Sequence, residues 1–105
     1  MEESNLYLIL KSVGIPVAYD HFINPNEDNI SPPFILYRND DASHFKADDK
    51  VFFMNKEYII ELVTDKKDIN LELELESVLT ANYLPFDRTE VYIESEDIYQ
   101  VSYFI

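Results

Sequence analysis

Cysteine is absent from this chain, which excludes disulfides and thiolate metal sites and fits a reducing cytosol. Glycine occurs once, at Gly14, so a glycine-rich phosphate cradle cannot be built and long stretches are expected to be regular. Positive charge is scarce: 8 Lys and Arg stand against 21 Asp and Glu, a net charge of −13. Nucleic-acid affinity rests on Lys and Arg neutralising phosphates, so this balance argues against a phosphate-binding surface. It argues equally against anionic membranes. Such charge serves solubility and self-repulsion, or it fits a basic partner or a surface that repels DNA. No apolar run approaches the ~20 residues that a membrane helix needs. The first residues, MEESNLYLILK, begin acidic, unlike a secretory signal.

What is present describes one acidic, folded domain spanning residues 1–105. Hydrophobic residues make up 47% and aromatic residues 14%, enough to bury a core without staples. Asn55 to Thr64, NKEYIIELVT, reads as a central strand. Tyr58, Ile60 and Leu62 point one way, and Ile59 and Val63 the other, with Glu61 between them. Glu2 to Val13 reads as a helix, with Leu6, Ile9, Leu10 and Val13 on one face. Ser4 or Asn5 could cap it, and Gly14 follows as a left-handed terminator. Val17 to Phe22 reads as a short strand, Asn24 to Pro33 as a loop, and Phe34 to Arg38 as a second strand.

Ile69 to Asn82, INLELELESVLTAN, fits both a strand alternation and a helical face. Leu and Glu are better helix formers than strand formers, and Asp68 or Asn70 offers a cap, so a helix is expected. Thr89 to Glu94 and Ile98 to Ile105 read as a hairpin turning at Ser95, Glu96 and Asp97. The order is α-β-β-β-α-β-β. The expected fold is an α+β domain, a single antiparallel or mixed sheet of four to five strands with two helices packed on one face.

Chemistry is sparse. His21 and His44 are the only histidines, and no nucleophile–base signature accompanies either. Asp40, Asp41, Asp48 and Asp49 share one connection and could gather a hard cation, but the glycine-turned calcium spacing is missing. A solvated acidic loop is the favoured reading. No catalytic, cofactor or metal site is expected. Aromatic residues are the informative surplus, with 8 Tyr and 7 Phe. Phe34, Tyr58 and Phe104 are assigned to the core. Phe45, Phe52 and Phe53, beside the acidic connection, are candidates for contact with another chain, or else close the open face of the sheet.

Five phrases resemble small tail proteins of siphophage and prophage morphogenesis clusters: GIPVAYDHF (14–22), PPFILYRN (32–39), FKADDKVF (45–52), EYIIELVTDKKD (57–68) and YIESEDIYQVSY (92–103). The family resembled is that of tail completion, tail terminator or tail-to-head joining proteins. Val63 departs from it, standing where an aromatic residue is expected. The resemblance implies a non-enzymatic assembly protein that caps the head-proximal end of the tail tube. It implies a ring, commonly a hexamer in the virion and a monomer when free, that binds tail-tube and head-connector proteins. It places the protein in the host cytoplasm during assembly and then in the virion tail. Negative charge would let DNA pass without sticking. A head-to-tail ring contact joins two different patches. The connection holding Asp40, Asp41, Asp48 and Asp49 suits one, and the turn at Ser95 and Glu96, or the loop at Asn24, suits the other. The alternative is a small acidic inhibitor or DNA mimic that binds a basic host protein.

Overall fold

The computed structural model describes residues 3–23, 30–40 and 58–105. Seven elements follow in chain order: α1 (Glu3–Lys11), β1 (Val17–Tyr19), β2 (Phe34–Asn39), β3 (Tyr58–Thr64), α2 (Ile69–Ala81), β4 (Asp87–Ile93) and β5 (Ile98–Phe104). The five strands form one mixed sheet in the order β1-β2-β3-β5-β4. Only β1 and β2 are parallel; the other neighbours are antiparallel. The order α-β-β-β-α-β-β and the single helix-clad sheet are as the sequence leads one to expect.

β3 is the middle strand, and its alternation explains why. Tyr58, Ile60 and Leu62 face α1 and α2 and share one core with Leu6, Leu10, Leu75 and Leu79. Ile35 and Tyr37 of β2, and Val101 and Tyr103 of β5, lie beside them on that face. Ile59 and Val63 point to the opposite face and are also buried. Phe34 and Phe104 belong to that second face, half-buried, rather than to the main core. Register decides this: Phe34 pairs with Val63 and Phe104 with Ile59.

Several boundaries differ from expectation. α1 begins at Glu3, so Ser4 and Asn5 lie inside it and neither is its cap. Its helical bonds stop at Lys11, but Val13 still reaches the core, and Gly14 takes the expected left-handed backbone at φ 98°. β1 stops at Tyr19, three residues short of Phe22, because Asp20 turns to φ 65°. β4 begins two residues early, at Asp87. Residues 41–57, including the first residues of the expected central strand, Asn55–Glu57, lie outside the described residues.

α2 resolves the ambiguous LELELE run. The Asp68 carboxylate accepts the Leu71 N–H at 3.0 Å, as an N-cap should. Leu75 and Leu79 enter the core, Leu71 and Val78 flank it, and Leu73 stays exposed. The helix ends in a Schellman motif: the Leu84 N–H donates to the Leu79 carbonyl at 3.0 Å, and the Tyr83 N–H to that of Thr80 at 3.0 Å. The left-handed position is filled by Tyr83, at φ 59°, where glycine is usual. Tyr83 is 91% exposed, so its ring makes little packing to lose. Tyr83→Gly is therefore expected to raise stability by about 0.5–1 kcal/mol, read as a higher urea midpoint with unchanged slope.

Candidate interaction surface

The residues singled out in the sequence separate into two places. Asp40 follows β2 directly, at the end of the sheet where Tyr58, Phe104 and Asp87 meet. It is 8% exposed, so it is a buried carboxylate and not part of a solvated acidic loop. Ser95 and Glu96 sit in the β4–β5 turn, at the opposite end, and both are exposed. Phe45, Phe52, Phe53, Asp41, Asp48, Asp49 and His44 lie outside the described residues. His21 is exposed and its Nδ1 lies 3.0 Å from the Asp20 carboxylate. Strand alternation would have sent these neighbours to opposite faces; the left-handed backbone at Asp20 ends the strand and lets them meet.

The β4–β5 turn is held by its own backbone. The Glu96 N–H donates to the Ile93 carbonyl at 3.2 Å, and the Asp97 N–H to that of Glu94 at 3.3 Å. Asp97 adopts φ 54°, which an aspartate tolerates better than most residues. Its carboxylate accepts the Tyr92 hydroxyl at 2.6 Å. That bond raises the phenol above its ordinary range. Tyr92 packs on Tyr99 with ring centroids 4.9 Å apart. The turn is thus an acidic tip on an aromatic base.

A charge network joins α2 to the edge strand β4. Glu72 is 5% exposed and is held by Lys67 Nζ at 2.8 Å and by Arg88. Arg88 also reaches Glu90 at 3.0 Å and Glu76 at 3.4 Å, and Lys67 contacts Glu90. The Tyr103 hydroxyl donates to Glu76 at 2.8 Å. Burial first, and then Glu76, push that phenol well above its ordinary range, so it stays a donor. The one sequence cue is spacing: Glu72 and Glu76 share a helix face, and Arg88 and Glu90 a strand face. Two cations and a hydroxyl thereby hold three carboxylates. This arrangement fastens an edge strand.

The network carries a pH signature. Lys67 hydrogen-bonds Glu90 and holds its carboxyl below the ordinary value, with Arg88 adding to the effect. A carboxylate depressed in the folded state adds stability that is present above its unfolded value, near 4.5. That stability is lost as pH falls through the lower, folded value. Below pH 4.5 the stability of Glu90→Gln is therefore expected to fall less steeply than that of the parent chain. Urea midpoints taken across the acid range check this.

The opposite face of the sheet carries no helix among the described residues. Glu61 is fixed there by Arg38 at 3.5 Å and by the Gln100 amide, and Phe34, Leu36, Val91 and Ile93 share that face. A shallow apolar depression of about 350 Å³, lined by Thr80, Tyr83, Leu84 and Pro85, lies at the end of α2; its lining has no carboxylate, imidazole or amine. Among the described residues no group of three or more His, Cys, Asp or Glu is placed to hold a metal ion. No described helix is long and apolar enough to cross a membrane. No family model, curated protein or solved structure matches this chain. The geometry defines a fold class, a helix-clad α+β sheet domain.

Proposed function

We propose that this chain is a structural assembly protein of a phage or prophage tail. It caps the head-proximal end of the tail tube and joins it to the head connector as a ring of copies. The observation that carries the reading is the serial run of phrases resembling tail completion proteins, set on a single sheet of the expected element order. One further feature supports it. The charge of −13 suits a ring through which DNA passes without binding.

A DNA mimic would need rows of carboxylates across a sheet face. On the helix-free face the described strands place Glu61, already tied to Arg38 and Gln100, and Asp87 at the edge. On the helical side Glu72, Glu76 and Glu90 are paired with cations. Glu61, Glu72, Glu76 and Glu90 are used to hold the fold, which favours the assembly reading.

The role is tested by mixing the purified chain with purified siphophage tail tubes and imaging the tips. Added density at one tip is the expected result. Bare tips at saturating protein would overturn the proposal.

A further inference from the structure

The α1–β1 edge gathers tyrosines whose exposure neither the core nor the tail reading explains. Tyr37 of β2 is buried beneath two partners. Tyr19 meets it edge-on at 5.2 Å, and Tyr7 of α1 lies tilted at 6.5 Å. Those two outer rings are 38% and 37% exposed, respectively. The Asn39 N–H donates to the Tyr19 hydroxyl at 3.3 Å, so that ring is held at both ends. One carboxylate borders the patch: Glu3, one helical turn before Tyr7; that of Asp20, next after Tyr19, is turned to His21. Glu3 lies near enough for its charge to raise the Tyr37 phenol, an effect second to that of burial.

The geometry points to Tyr7 and Tyr19 as a landing surface for the guanidinium of an arginine-bearing segment of a partner protein. Aromatic faces carry negative charge density and attract cations, and the planar guanidinium also stacks on them. Glu3 adds attraction, and the net charge of −13 steers basic chains toward this molecule. Within the chain, Arg38, Lys67 and Arg88 are already engaged by carboxylates. An apolar partner would strip water from Glu3 and the hydroxyls without replacing it. A nucleic acid would bring phosphates against carboxylates. The inference stands apart from the tail role, since it concerns the chemistry of a contact and not the assembly that uses it.

The test is NMR of the full chain with isotope-labelled tyrosine, titrated with short arginine-rich, lysine-rich and glutamate-rich peptides. The Tyr7 and Tyr19 ring signals are expected to move with the arginine peptide, less with the lysine peptide, and not with the glutamate peptide. The double variant Tyr7→Leu/Tyr19→Leu keeps apolar bulk and loses the ring faces. It is expected to bind the arginine peptide about three- to tenfold more weakly. Tyr7→Phe/Tyr19→Phe should bind as the parent does. Equal binding by the Leu variant would overturn the proposal. So would shifts in the parent chain concentrated at the Glu94–Asp97 turn instead of the two rings, a result that needs no variant to fold.

Discussion

Ile60→Ala is expected to cost about 3–5 kcal/mol, the upper part of the range for truncating a buried aliphatic side chain. Ile60 is fully buried at the centre of the middle strand, with Tyr37 opposite it on β2 and Tyr103 on β5. Neither neighbour can collapse into the gap, because Tyr103 is tethered to Glu76 and Tyr37 is wedged beside Tyr19. A domain of this size has only about 5–15 kcal/mol of total stability, so the variant should be close to unfolding at ordinary temperature. Leu73→Ala is the matched control. Leu73 is exposed on α2, and its truncation should change stability by no more than about 0.5 kcal/mol. Urea unfolding of the two variants side by side measures the contrast.

Arg88→Met is expected to destabilise the chain by about 2–3 kcal/mol, less than the loss from a fully buried ion pair because Arg88 is partly open to water. The cost comes from Glu72, which is buried and would be left with Lys67 alone. The origin can be separated from lost packing. In the double variant Arg88→Met/Glu72→Leu no buried charge is stranded, and most of the loss should return. Urea midpoints of the single and double variants, compared in a double-mutant cycle, decide it. If the double variant is as unstable as the single one, the network is not what holds β4 to α2.

These two sites show what could be read from the chain and what could not. The middle strand was legible because alternation is a local signal: YIIELV writes both faces in six consecutive residues. The helix at Ile69–Ala81 was legible only after propensity was set against alternation, and the Asp68 cap tipped the same way. The early start of β4 was hidden. Asp87 and Arg88 look like turn residues, and what makes Arg88 part of a strand face is Glu72, sixteen positions earlier. The burial of Asp40 was hidden for a related reason: an acidic run reads as solvated unless its tertiary surroundings are known. The parallel pairing of β1 with β2 was equally invisible, since it depends on where residues 20–33 return the chain. Of the candidate interface, the Ser95–Glu96 turn was legible from its composition, and the tyrosine patch was not, because its three rings come from three separate elements.

Gene order around this chain bears on the tail role, and direct imaging bears on it most. Tail tubes incubated with the protein should end, at one tip only, in an extra ring of density that also stops further tube growth. Tubes that stay bare at both tips and keep lengthening in its presence would contradict the account.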